Sequence, residues 1–168
     1  AAEVRTGSFS LTWLSPVPFS TIVLARWSAG WLVAAAAVTP ALALSAAIAG
    51  VSDAVGPMAL ASIAGTAAYL ALFVFIGAAV RRAAWWSLGV VLIGERLLGA
   101  VLAGIAQLSP QWLATMVYAG LAPDPGSLER AGMPTGGAAV RRLVVLTVVF
   151  LALALCRIRR LRPTSRAE

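Results

Sequence analysis

The chain has 168 residues, 61% hydrophobic and 11% charged, with a formal charge of +7. So short a chain cannot hide that much apolar surface in an interior of its own, so the excess requires lipid as its solvent and a water-soluble domain is excluded. All 13 basic residues are arginine, histidine is absent and Cys156 stands alone, which excludes an intrachain disulfide, a tetrahedral zinc site and a histidine-activated nucleophile.

The chain begins at Ala1 without a methionine and without a signal-peptide pattern. Either an initiator has been trimmed or the sequence is part of a longer protein. Residues 1–26 are moderately apolar and include Ser15-Pro16-Val17-Pro18-Phe19-Ser20-Thr21. Pro18 suits the opening of a short amphipathic helix carrying Phe19, Ile22 and Val23, lying on the cytoplasmic face and ending at Arg26. Such a segment is either a docking surface or a passive lead-in to the membrane.

A first span is expected over residues 27–49, free of charge and interrupted by Pro40, where a kink is predicted. Residues 50–57, with Gly50, Asp53, Gly56 and Pro57, read as a tight loop. The second span covers 58–80 and is closed by Arg81-Arg82. The third covers 83–107 and contains Glu95-Arg96. Residues 108–137 are rich in proline and glycine and form an external loop, opened by a short helix that Ser109 caps and Pro110 starts. The fourth span runs over 138–157 if Arg141 and Arg142 snorkel, and residues 158–168 form a basic cytoplasmic tail. The expected fold class is therefore all-α: a polytopic membrane bundle of about four transmembrane helices, with an interfacial cytoplasmic helix and a re-entrant or interfacial external segment.

Counting arginines on alternate sides puts both termini in the cytoplasm, with Arg141 and Arg142 the exceptions outside. The arginines punctuate apolar runs and form no stripe, so nucleic acid is not an expected partner. No phosphate-binding glycine loop and no paired carboxylates occur, so no enzymatic activity, cofactor or catalytic residue is expected. Glu95 and Arg96 are ionisable residues inside an apolar run. As helix neighbours they point about 100° apart and do not pair. They form either an anchoring pair near the outer surface or part of a substrate path or gate. Gly89, Gly94, Gly99 and Gly104 recur every five residues, a spiral that fits close packing or a helix break. Trp112, Met116 and Tyr118 are expected at headgroup level, with Trp112 and Tyr118 as further candidates for the path.

The order of these features resembles the permease subunits of ABC exporters of the type-2 class. Glu3, Thr6-Gly7-Ser8, Leu11, Leu14, Pro18, Ser20 and Arg26 stand in the order of that family's cytoplasmic coupling segment. Phe75-Ile76-Gly77 through Arg81-Arg82 looks like its glycine and paired-arginine turn, Glu95 matches an acidic residue late in the next span, and Leu108-Ser109-Pro110-Gln111-Trp112-Leu113 looks like its leucine-serine-proline re-entrant segment. Arg26 stands where lysine is usual, and Ser20-Thr21 where a serine-arginine pair is common. The resemblance implies the last four spans of a six-span permease in a bacterial inner membrane. It implies contact between Ser15, Pro16, Pro18, Phe19, Ser20 and Thr21 and a separate ATP-binding subunit, and a second permease copy completing the path. It places Glu95 and the stretch up to Tyr118 near the outer gate. A secondary transporter using Glu95 as an ion site, and a membrane scaffold that moves no solute, are the other readings.

Overall fold

The computed structural model of the chain describes residues 18–80, 82–93, 106–123, 128 and 132–160. Every extended element among them is helical: α1 (Phe19–Ile48), α2 (Val55–Ala79), α3 (Ala83–Gly89), α4 (Pro110–Ala119) and α5 (Gly136–Arg160). Three helices are long and apolar enough to cross a membrane, over Ser20–Ile48, Ser52–Ala79 and Gly136–Arg159. The protein is therefore a helical membrane protein.

The first helix differs from expectation. Residues 19–26 are not a separate interfacial helix but the opening turns of one helix that runs unbroken through Arg26 and Pro40 to Ile48. Val23 is buried, packed in one cluster with Ala71, Leu151 and Ala154. No glycine or proline lies between Phe19 and Arg26 to end a helix, and an exposed arginine is tolerated within one because its stem is apolar and its head can reach outward. At 30 residues the helix is about 45 Å long, more than the roughly 30 Å hydrocarbon core.

The helix ends in a Schellman turn. Gly50, at φ +77°, takes the left-handed conformation that glycine adopts without penalty, the Gly50 amide donates to Ala47 O at 3.1 Å and the Val51 amide donates to Ala46 O at 3.1 Å. A single 3-10 turn, Ser52–Ala54, then leads into α2. Gly56 and Pro57, expected in the loop, instead form the first turn of α2, where a proline's missing amide costs nothing.

α2 is the axis of the bundle and touches α1, α3, α4 and α5. Its buried face is built from small residues, Ala61, Ser62, Gly65, Ala68 and Ala71, continued by Leu72 and Ile76. Small side chains let backbones approach where lipid removes the hydrophobic drive for helix association. α1 runs antiparallel to α2, since Trp27 reaches Ala67 and Trp31 reaches Ile63. α5 runs parallel to α2: Phe75 stacks on Phe150 at 6.2 Å, while Ala61 and Ala68 share a cluster with Ala139 and Leu143. The C-terminal ends of α2 and α5 and the start of α1 thus lie together, and Arg82, Arg157 and Arg159 gather at that end. The starts of α2 and α5 lie at the other.

The third apolar segment is helical over Ala83–Ile93. Its α-helical part ends at Gly89 and passes into a π-helical turn over residues 90–93. Residues 94–105 of the span expected over 83–107, Gly94, Gly99 and Gly104 among them, lie outside the described residues.

Candidate functional site

Three features of the bundle bear on function. The first is a polar seam between α1 and α2. Trp27 and Trp31, one turn apart, stack at 5.6 Å, and their indole Nε1–H groups donate to the carbonyls of Ala67 at 3.0 Å and Ile63 at 3.1 Å. Farther along, the Ser62 hydroxyl donates to Ala59 O at 2.8 Å, which spends its one proton. The 2.9 Å bond between Thr39 and Ser62 therefore has Thr39 as donor. The seam fastens α1, most of whose surface is exposed, to the rest of the protein. The i, i+4 spacing of the two tryptophans was its signal in the sequence.

The second feature is α4. Ser109 caps it as expected: its side chain accepts a bond from the Trp112 amide at 3.3 Å, and Pro110 occupies the first turn. Its ten residues span about 15 Å, half a membrane. This helix turns its apolar side into the protein. Met116 is fully buried with Leu113 and Val117, and Trp112 and Tyr118 pack partly buried against the same cluster, which includes Ala61, Ala68, Ala139 and Leu143. The physical reason is the apolar stripe Leu113, Met116, Val117 at i, i+3, i+4, which turns the helix into the bundle between α2 and α5. The expected short helix is inserted among the other helices. Its close fit rests on glycines: Gly120 lies against the backbone of Gly136, and Gly65 on α2 faces the Ala114 methyl.

The third is a groove of about 560 Å³ between the start of α4 and the outer face of α5, lined by Gln107, Leu108, Leu113, Arg141, Arg142, Val145, Leu146 and Val149. At one end Arg142 Nη1 donates to Gln107 Oε1 at 3.1 Å, and Gln107 Nε2 donates to Gly132 O at 3.3 Å. Arg141 and Arg142 are exposed, the disposition that snorkelling requires. The sequence marked both arginines as topological exceptions and as snorkelling residues of the fourth span, and Gln107 as the end of the third.

Of the predicted site residues, Glu95, Arg96, Ser15 and Pro16 lie outside the described residues. Pro18 precedes α1 and is exposed, Phe19 opens the helix, Ser20 is partly buried and Thr21 exposed. Trp112 and Tyr118 lie together on α4, toward the end of the bundle opposite Arg157 and Arg159. Among the described residues no group of three or more histidine, cysteine, aspartate or glutamate side chains converges as a metal site would require. No protein-family model, curated protein or solved structure matches the chain.

Proposed function

We propose that the chain is a membrane-spanning permease subunit of an ATP-driven ABC exporter, with no enzymatic activity of its own and ATP hydrolysed on a separate subunit. The observation that carries this reading is α4. A half-length helix opened by Ser109-Pro110 and packed inside the bundle is the arrangement that the resemblance implies for a re-entrant segment. Non-spanning helices within a membrane are tolerated where protein buries them, and they recur beside translocation paths.

The topology is consistent with four crossings, both termini cytoplasmic and the arginine-rich end inside. Val80 lies at the end of the bundle shared with Arg157. Gln107 lies toward the opposite end, bonded to Gly132 and Arg142. These opposite positions of Val80 and Gln107 support a crossing between them, the role expected of residues 83–107. On this reading Ser15 to Thr21 meet the ATPase at the cytoplasmic start of α1, a second copy completes the path, and Glu95 with Arg96 lies toward its outer gate alongside Trp112 and Tyr118.

The test is co-purification of the chain with a cassette ATPase from its native membrane. The ATPase is expected to be retained by the wild type and lost on the pair Pro18→Asp and Phe19→Asp. Retention by the paired variant removes the coupling segment, and absence of any nucleotide-binding subunit from the wild-type complex removes the permease.

A further inference from the structure

We infer that the groove between α4 and α5 is a binding site for one anionic phospholipid, with Arg141 and Arg142 holding the headgroup phosphate and Val145, Leu146 and Val149 carrying an acyl chain. The inference does not depend on whether the chain works with an ATPase.

The first argument is the order of chemistry along one helix face. Arg141, Val145 and Val149 follow at i, i+4 and i+8, with Arg142 and Leu146 one residue on, so the groove runs about 12 Å along α5, two cations first and aliphatic floor after. Leu108 and Leu113 supply its other wall from the start of α4. A wholly apolar molecule would leave the cations unanswered, and a free anion would leave the floor empty. A molecule with one anionic end and a long apolar tail satisfies both.

The second argument is depth. The apolar run 143–156 of α5 is about 21 Å long, shorter than the roughly 30 Å hydrocarbon core, so Arg141 and Arg142 sit at the edge of that core with their heads reaching toward the phosphate layer. A lipid of the same leaflet presents its phosphate at that level. The third argument is preorganisation. Gln107, tied to Gly132, holds the Arg142 guanidinium at the mouth of the groove, and among the described residues the rest of its planar fork, suited to phosphate oxygens, takes no other partner. Among the described residues Asp53 is the one acidic side chain, and no bond joins it to this arginine pair.

Native mass spectrometry of the full chain, released from detergent with added phosphatidylglycerol or phosphatidylcholine, tests the site. One phosphatidylglycerol is expected to remain bound in preference to phosphatidylcholine. Arg141→Gln and Arg142→Gln are each expected to weaken retention roughly fivefold. Arg157→Gln at the opposite end leaves retention unchanged. Val145→Trp keeps both charges but fills the exposed floor, and is expected to abolish the preference, while Arg141→Lys retains it. Equal retention of the two lipids, unchanged retention in the arginine-to-glutamine variants, or unchanged retention in Val145→Trp overturns the inference. Because Val145 and Arg141 point outward, Val145→Trp and Arg141→Lys decide the matter even if Arg142→Gln disturbs folding.

Discussion

The close approach of α4 and α5 allows a sharp test of the packing. At Gly120 the backbone has φ −82° and ψ −3°, ordinary values for any residue, so alanine there carries no conformational penalty. The cost comes from space alone. An added Cβ would collide with Gly136 N and lie 2.5 Å from Gly136 Cα and 2.8 Å from Thr135 C, all backbone atoms that no rotamer change can move. Gly136 cannot readily give way, because it opens α5 at φ +54° and is itself buried beside Gly120. The two helix ends must therefore part by more than an ångström, which strips contacts from the cluster around Met116, Met133 and Ala139. Overpacking of this kind costs about 1–3 kcal/mol, and with rigid backbone on both sides the upper end applies. For a chain of this size that corresponds to a Tm lowered by roughly 5–10 °C in detergent. The control is Gly137→Ala, whose Cβ meets nothing within 4 Å. There alanine favours the helix by up to about 1 kcal/mol, and Tm should hold or rise. An unchanged Tm in Gly120→Ala, measured by scanning fluorimetry beside that control, would refute the contact.

Three further outcomes are expected. Trp27→Phe and Trp31→Phe keep the stacked apolar surface but remove one indole donor each, so each should lower stability by about 0.6 kcal/mol, read from unfolding in mixed micelles, with a larger loss for Trp→Ala. With exposed Cys156 changed to serine, Asp53→Cys and Leu121→Cys should react with an impermeant maleimide from one side of the membrane and Arg82→Cys and Arg159→Cys from the other; Leu121→Cys grouping with Arg159→Cys would eliminate the third crossing. Hydrogen exchange should be faster over Ala83–Ile93 than over the middle of α2, because α2 is packed on four sides and α3 packs chiefly on α2, leaving Trp85, Trp86 and Leu88 exposed.

The long spans were legible because length and lack of charge suffice to identify them: α2 and α5 start and end within a few residues of the expected 58–80 and 138–157. The start of α1 was not, because Arg26 reads as a boundary in one dimension, while in three the neighbouring Val23 is drawn in by Ala71 and Ala154. α4 was half legible. Ser109-Pro110 announces a helix by local capping chemistry, but whether Met116 faces lipid or protein depends on which helices stand beside it, and that information is spread over α2 and α5. The groove was illegible for the same reason. Gln107 and Arg142 are 35 residues apart and acquire meaning only once α4 is set against α5.

The distribution of polar contacts also says which parts of the bundle are built to stay together. Among the described residues every buried side-chain polar atom has a hydrogen-bond partner. Among the described residues, long-range polar bonds join α1 to α2 along the seam and Gln107 to α5. In lipid, where helices gain no hydrophobic drive for meeting, such bonds and the small-residue face of α2 are what make a unit of α1, α2, α4 and α5. α3 takes part in neither. It packs chiefly on α2, and its helical hydrogen bonding loosens from α to π at residues 90–93, immediately before the chain reaches Glu95. A transport cycle needs one element that moves against another, and such elements come from the weakly packed end of the stability range. In a permease built on this bundle α3 is the element placed to move, and the fixed part is the unit whose axis is α2.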